Sequence, residues 1–322
     1  MNALPPCHGP RSPHEARAVV TRFAPSPSGN LHIGHAYSAH FAREAARQAG
    51  GRYLVRIEDI DPTRCRAEFI EANLGDLGWL GLQSDEPVVR QSQRLSLYAR
   101  AVRRLKERNL VYPCFCTRRR IREDLAASGD SARLSESDGG VIYPGTCRGL
   151  SLSERRRRID AGEPFAIRLD VGRSLAETGP LSWTDRRLGT RRVTGERTDD
   201  VIVARRDAPV SYHLAVVVDD AAQGVTVVTR GEDLLGATPI HRLLYALLDL
   251  PVPVWHHHAL CRDSAGRKLA KRDGDAALSA LRATGLSPQA VMALAIGSIG
   301  GAETIDNSGA ETIDGGDTAG VT

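Results

Sequence analysis

The sequence predicts an α/β fold built on a parallel sheet, and three observations predict it. Residues 18–24, Ala-Val-Val-Thr-Arg-Phe-Ala, are short, apolar and β-branched, the pattern of a buried strand. An Ala-rich helical pattern follows from Ile33 to Gln48, and a second strand-like run, Tyr53-Leu-Val-Arg-Ile57, comes directly after it. A strand, a helix and a strand in succession make a parallel pair with a right-handed crossover. Third, the carboxylates of Glu58-Asp-Ile-Asp61 stand at the end of that second strand, where an open α/β sheet binds its ligands.

Each element has a local cause. Pro25 and Pro27 forbid regular pairing after the first strand, and Gly29-Asn30 permits a tight turn. His32 and His35 sit where the loop becomes the helix. A helix N-terminus offers N–H groups and a positive dipole end to phosphate, and two imidazoles add donors that can follow its charge. That is the chemistry of nucleotidyl transfer, in which the α-phosphate of ATP is attacked. Gly50-Gly51 ends the helix. Asp61-Pro62 is expected to open a helix to about Leu80, whose Phe69, Ile70, Leu74, Leu77 and Leu80 recur at helical spacing. Another helix is expected from Gln93 to about Asn109. Residues 112–205 break the alternation, with a polar loop at Ser128–Gly140 and short strands at Phe165–Val171 and Val201–Ala204. The run Ser211–Asp220 resumes the fold and reads, with Val225–Thr229, as strand, followed by a helix over about Thr238–Leu248. Two short helices, Ala276–Ala283 and Pro288–Ile296, close the ordered part. From about Gly300 the chain repeats Gly-Ala-Glu-Thr-Ile-Asp, Gly-rich and without aromatics, the composition of disorder.

With 322 residues the chain can bury a sizeable core. It has no apolar run near the ~20 residues of a membrane helix. Residues 1–17 lack the apolar centre of a signal peptide. Six scattered cysteines do not make a disulfide framework, which implies a reducing, cytoplasmic setting. The net charge of +4 is uneven: residues 299–322 hold five carboxylates and no Lys or Arg, which leaves +9 for residues 1–298. Residues 100–122 carry nine Lys or Arg against Glu107 alone, Arg155–Arg158 is an unbroken basic run, and Arg186, Arg187, Arg191 and Arg192 follow. Any one run reads as a solvated face; together they imply a phosphate-rich partner.

Cys114-Phe-Cys116 and Cys147 can form a metal knuckle, but three sulfurs leave zinc one ligand short. Tyr143 is the nearest further donor, and chemistry alone leaves water, or no metal at all, open. Cys7, Cys65 and Cys261 read as plain thiols, and His256-His-His258 as a strand whose successive side chains cannot converge on a metal. Glu58 is equally a loop cap or a partner for an ammonium group.

The run Thr21-Arg-Phe-Ala-Pro-Ser-Pro-Ser-Gly-Asn-Leu-His-Ile-Gly-His35 resembles the HIGH signature of class I aminoacyl-tRNA synthetases, in the form found in the glutamyl and glutaminyl branch. Lys268-Leu-Ala-Lys-Arg272 is similar to the KMSKS loop, with Ala270 in place of the usual serine. The pattern Cys114, Cys116, Tyr143, Cys147 resembles the zinc knuckle of the glutamyl-Q tRNA(Asp) synthetase group within that branch. The resemblance covers roughly residues 18–298. It implies a Rossmann-type sheet split by a zinc-containing insertion, with a short helical C-terminal part. The expected parts are an extension (1–17), two halves of a nucleotide-binding domain (18–111 and 206–260), an acceptor-type insertion (112–205), the KMSKS-like loop with a helical region (261–298), and a disordered acidic tail (299–322).

The same resemblance implies ATP-dependent activation of L-glutamate without tRNA, and transfer to the queuosine base of tRNA(Asp). Arg22, Phe23, Ala24, Pro25, Ser26, Glu58, Tyr212 and Arg230 would hold glutamate. His32, His35, Lys268 and Lys271 would bind ATP, with His32, His35 and Lys271 stabilising the reacting phosphate. One structural zinc, magnesium accompanying ATP, and a monomer are expected. After Arg272 only fifty residues remain, and the helical module that reads an anticodon is expected to be absent. The alternatives are a truncated or discriminating glutamyl-tRNA synthetase that charges a 3′ end, and a non-catalytic tRNA-binding paralogue.

Overall fold

Strand β1 (Val20–Phe23) lies parallel to β2 (Arg52–Ile57), Val20 opposite Arg52 and Phe23 opposite Val55, and helix α1 (Ile33–Gln48) makes the crossover. The coordinates are a computed structural model that describes residues 18–127, 143–194, 199–206, 208–262 and 277–299. The expected N-terminal extension, the polar loop at 128–140, the Lys268–Arg272 motif and the tail from Gly300 lie outside the described residues. Gly50, with φ of +59°, supplies the left-handed turn after α1. At Gly51 a Cβ would stand 2.0 Å from the Val19 carbonyl oxygen, so only glycine lets β2 start beside β1.

Helix α2 (Ala67–Trp79) leads to β3 (Val89–Arg90), which pairs in parallel with β2. The helix expected from Asp61 begins only at Ala67. The Asp61 carboxylate accepts the Thr63 N–H and hydroxyl and closes a local turn; Arg66 is extended, its N–H on the Pro27 carbonyl. A side chain bonding its own backbone neighbourhood competes with helix, and here it wins for one turn. A short 3₁₀ turn at Gln91–Gln93 precedes α3 (Leu95–Glu107).

Next come β4 (Val111–Cys114), α4 (Arg118–Ala127), α5 (Leu152–Asp160), β5 (Ala166–Leu169), α6 (Val171–Thr178), the hairpin β6 (Ser182–Asp185) and β7 (Gly189–Arg192), and β8 (Ile202–Ala204). Strands β4, β5 and β8 form an antiparallel sheet of their own. After them run α7 (Tyr212–Ala222), β9 (Val227–Gly231), α8 (Thr238–Leu247), β10 (Val254–His258), α9 (Leu278–Ala283) and α10 (Pro288–Gly297). The order of the remaining sheet is β7-β6-β10-β9, with β10 parallel to both β9 and β6. The β6–β7 hairpin thus lies between β5 and β8 in sequence but belongs to the sheet of the second half.

The run Ser211–Asp220, read as strand from its valines, is helix α7. Val216, Val217 and Val218 are each at most 2% exposed. A helix buried on all sides has no polar face, so its sequence shows no 3.6-residue period and its β-branched residues mimic a strand.

The Thr226 N–H donates to the Val20 carbonyl at 3.0 Å, and the Val20 N–H to Thr226 Oγ1 at 2.9 Å. These bonds stitch the first sheet to the second. The C-terminal ends of β1 and β9 therefore lie side by side where the strand order turns from one half to the other. A crevice at such a switch point is where open α/β sheets bind ligands. Among the described residues no helix is long and apolar enough to cross a membrane.

Candidate active site

The N-terminus of α1 opens on this crevice. His32 is the N-cap: its Nδ1 accepts the Gly34 N–H at 3.1 Å, and His35 Nδ1 accepts the His32 N–H at 3.2 Å. This reciprocal cap satisfies two N–H groups that the first turn would otherwise leave unpaired. Because both Nδ1 atoms accept, each neutral ring carries its proton on Nε2. The rings stand 3.9 Å apart, and a Cβ on Gly34 would lie 3.0 Å from the His32 ring. The glycine between the histidines is what lets His32 fold back as a cap. Leu31 and His32 are pinned by residues 277–278: Ala277 bridges His32, and the Leu278 N–H donates to the Leu31 carbonyl at 2.8 Å. Lys268 and Lys271 lie outside the described residues, but the chain leaving their segment emerges beside His32.

The loop after β1 is tied to the end of β2, with the Glu58 N–H on the Pro25 carbonyl at 3.0 Å and Ser26 Oγ 3.8 Å from Cys65 Sγ. Phe23 meets the His35 ring edge-on at 6.4 Å between centroids. Ala24 continues the same loop.

Below this loop lies a buried ion cluster. Arg22 Nε donates to Asp220 Oδ1 at 3.0 Å, and Arg22 Nη1 to the Thr229 carbonyl at 2.8 Å. Arg56, fully buried, donates to the same Asp220 oxygen and to Gln223 Oε1, each at 2.8 Å. Asp219, beside it on α7, stands 3.9 Å from Arg56 Nε and accepts from Gln91, Arg94 and Tyr98. Glu58 Oε1 stands 3.5 Å from Arg56 Nη2 without a hydrogen bond to it. Burial pushes the Glu58 carboxyl up to about 7, against the pull of Arg56 and Arg22. Glu58 Oε1 is buried with no hydrogen-bond partner among the described residues. Arg22 has a carboxylate partner of its own.

Arg230, at the end of β9, has none among the described residues. Its contacts are His257 Nε2 at 3.1 Å, His241 Nδ1 at 3.0 Å, Thr238 Oγ1 at 2.8 Å and Tyr212 Oη at 3.5 Å, all neutral acceptors. Burial lowers its pKa, and a buried cation without an anion carries a desolvation cost of several kcal/mol. Burial likewise holds His213 down to about 4 and lowers His241 and His257, so these rings are neutral at physiological pH.

A second cluster lies at the edge of the β4–β5–β8 sheet. The sulfurs of Cys114, Cys116 and Cys147 are within 4.8 Å of one another, Cys116 and Cys147 at 3.5 Å, with Tyr143 Oη 3.9 Å from Cys116 Sγ. Arg168 Nε donates to Cys114 Sγ at 3.2 Å and the Phe115 N–H to Cys147 Sγ at 3.4 Å; hydrogen bonds from Cys116 and Cys147, with the Arg168 charge, hold the Cys114 thiol well below its usual range. Donors 2.3 Å from a tetrahedral ion stand about 3.8 Å apart, so the group can hold a metal ion. Of the three neighbouring histidines of β10, His256 and His258 share one face, both against Phe41, and His257 points the other way to Arg230. The basic runs lie on α4, α5 and β7, and part of their charge is already paired, as in Arg120–Asp124, Arg157–Glu154 and Arg158–Glu163.

Residues 18–305 match the family described as tRNA synthetases class I (E and Q), catalytic domain. The chain belongs to this family. It is 50% identical, over 84% of its length and 97% of the relative's, to the glutamyl-Q tRNA(Asp) synthetase of Rhodobacter capsulatus. Identity to the protein of that name from Nocardia farcinica is 44%, over 87% of this chain and 84% of that one. The glutamate–tRNA ligase of Coprothermobacter proteolyticus is 36% identical over 87% of this chain and 58% of its own. The crystal structure of the Elizabethkingia anophelis glutamate–tRNA synthetase superposes with a TM-score of 0.68 at 28% identity, covering 80% of this chain and 54% of that one. The chain thus spans about half the length of the solved synthetases it matches. The fold is the class I synthetase catalytic fold, and the chain is an enzyme of the aminoacyl-tRNA synthetase type.

Sequence reasoning missed Arg56, Asp220, Asp185, His241 and His257. The available signal for Arg56 was an arginine inside an apolar strand run, which has to find a buried anion. Replacing Asp220 by Ala leaves Arg22 and Arg56 buried without their shared anion, and the expected loss of stability is about 3–5 kcal/mol. Urea unfolding checks this, and a loss under about 1 kcal/mol would mean that the two arginines are held by other means.

Proposed function

We propose that the protein activates L-glutamate with ATP and transfers it to the queuosine base of tRNA(Asp). The observation that carries the first half is Arg230, a buried guanidinium surrounded by neutral acceptors at a switch-point crevice. A carboxylate arriving there supplies the missing anion, and guanidinium binds carboxylate with two parallel donors. Tyr212 flanks it. Glu58 takes the ammonium group, and Phe23, Ala24, Pro25 and Ser26 line the passage, with Arg22 adding positive potential. The glutamate carboxylate attacks the α-phosphate of ATP, and pyrophosphate leaves. His32 and His35, each donating from Nε2 at the positive end of α1, stabilise the charge gathering on that phosphate. Lys268 and Lys271 would neutralise the departing pyrophosphate, and magnesium accompanies ATP. The second half of the reading is supported by the relatives named glutamyl-Q tRNA(Asp) synthetase, which this chain matches at 42–50% identity in the four highest-identity comparisons. The exposed arginines of α4, α5 and β7 would meet the RNA backbone. ATP–pyrophosphate exchange tests the reading: exchange is expected with glutamate and no tRNA, faster than with glutamine or aspartate. Exchange that required tRNA, or favoured glutamine, would sink it.

The pH dependence follows from Glu58. An ammonium group needs the carboxylate, so glutamate must displace the proton that Glu58 holds below about 7. Affinity therefore rises with pH and levels off above that point. The KM for glutamate is expected to fall about ten-fold between pH 6 and pH 8, and Glu58→Gln to abolish most of that change. A flat profile in the unaltered enzyme would remove Glu58 from the role.

Cys114, Cys116, Cys147 and Tyr143 would hold one zinc ion, which when bound cross-links β4 to the 143–147 turn and takes no part in the reaction. Metal analysis is expected to find about one zinc per chain, lost on Cys114→Ser or Cys147→Ser and kept on Cys65→Ser. Equal zinc in all three variants would exclude these ligands.

A further inference from the structure

Arg230 is held from behind by a chain of two residues that runs to the outer strands of the sheet. His257 Nε2 lies 3.1 Å from Arg230 Nε and 3.3 Å from Thr238 Oγ1, and Thr238 Oγ1 itself accepts Arg230 Nη2 at 2.8 Å. An arginine N–H only donates, so His257 Nε2 must be the bare nitrogen and the ring proton must sit on Nδ1. Nδ1 lies 2.6 Å from Asp185 Oδ2, so that proton is given to a carboxylate. Asp185 is itself immobilised. Its Oδ1 accepts the Arg187 and Leu188 N–H groups at 2.9 Å, and its Oδ2 also accepts the His257 N–H at 3.1 Å. Asp185 and His257 are at most 1% exposed, so neither residue competes with water for these bonds.

We infer that Asp185 and His257 are positioning residues for substrate recognition: Asp185 fixes the His257 tautomer, and His257 fixes the plane of the Arg230 guanidinium that receives the substrate's acidic side chain. The inference rests on the glutamate reading above and adds two residues to it. A guanidinium held through Nε by an in-plane acceptor has one orientation in which its Nη donors face the crevice. Without that acceptor the group can rotate, and a carboxylate loses its paired donors. The Asp185 charge, one imidazole away, also offsets part of the positive charge on Arg230, whose Nη donors now rest on the neutral His241, Tyr212 and Thr238. This arrangement explains why the β6–β7 hairpin pairs with β10 although it lies between β5 and β8 in sequence: the pairing of Asp185 with Trp255 in the register brings the carboxylate to His257.

The test replaces Asp185 by Asn and His257 by Gln and by Leu, and follows glutamate-dependent pyrophosphate exchange. An asparagine amide donates to Nδ1, which moves the ring proton to Nε2 and sets it against Arg230 Nε–H. Asp185→Asn is expected to raise the KM for glutamate by about ten-fold or more, with kcat and the KM for ATP within about two-fold. His257→Leu is expected to do the same, while His257→Gln, whose Oε1 can accept from Arg230, recovers most of the loss. ¹⁵N NMR of the His257 ring is expected to show Nδ1–H in the unaltered protein and Nε2–H in Asp185→Asn. An unchanged KM for glutamate, an equal rise in the KM for ATP, or equal damage by Gln and Leu overturns the assignment. Absence of glutamate exchange in the unaltered enzyme overturns the functional reading and this inference together. An active unaltered enzyme with an indifferent Asp185→Asn variant overturns this inference alone.

Discussion

The carboxylate of Asp220 is the constraint on which the crevice depends. It comes from α7 and takes one guanidinium from each of the first two strands, Arg22 of β1 and Arg56 of β2. Those contacts span 198 and 164 residues of sequence, so they join the halves of the sheet that residues 111–204 separate. Burying two cations and an anion is not the cheapest way to join two halves of a protein. Apolar groups of the same volume would do it as well or better, because the desolvation of the charges cancels much of their attraction. What apolar groups would not supply is a polar floor of fixed charge beneath the switch point. Asp220 is shared by Arg22 and Arg56, and Asp219 and Glu58 also stand near Arg56; Arg230 has no anion in contact among the described residues.

That difference between two arginines was hidden in the sequence. Arg22 and Arg230 both end a strand, and both suit a carboxylate ligand. Their environments separate them, and each environment is assembled from residues far away in the chain. Asp220 reaches Arg22 from α7; His257, His241 and Thr238 surround Arg230 from β10 and α8. Periodicity and capping report on neighbours three or four residues apart and are silent on such pairs. The parts that could be read were local ones. The β1–α1–β2 unit, the two-glycine stop after α1 and the His32–His35 cap each depend on residues within one turn, and each is found where the sequence puts it.

The two misreadings have the same origin seen from opposite sides. Aspartate before proline favours a helix opening at Asp61, but its carboxylate is held by Thr63 and Arg205, and the Arg66 N–H by Pro27. At α7 the local signal favoured strand, since three valines in a row suit a pleated surface. Tertiary burial overrode it: α7 packs among α3, α8 and the sheet, and its two aspartates both reach Arg56, while Asp220 also holds Arg22 and Asp219 also holds Arg94. A strand would have sent them to opposite faces, and only one could then have reached Arg56.

The neutral histidines around Arg230 complete the electrostatic argument. Discrimination between a carboxylate and an amide of equal size cannot come from shape; it has to come from charge and from unpaired polar groups. A second cation beside Arg230 would deepen the well for any anion, including phosphate, which the proposed mechanism needs at the α1 end instead. Burial removes that risk by holding His213, His241 and His257 in their neutral forms. Each can then accept from or pass on a hydrogen bond without adding charge: Arg230 donates to His241 Nδ1, which leaves the His241 proton on Nε2, 3.2 Å from His213 Nδ1. On the proposed reading, one guanidinium at the β9 end would select one carboxylate, and the helix terminus with its paired imidazoles, at the β1 end, would be left for phosphate. The two proposed anion sites would then be kept apart by where positive charge stands without a carboxylate partner.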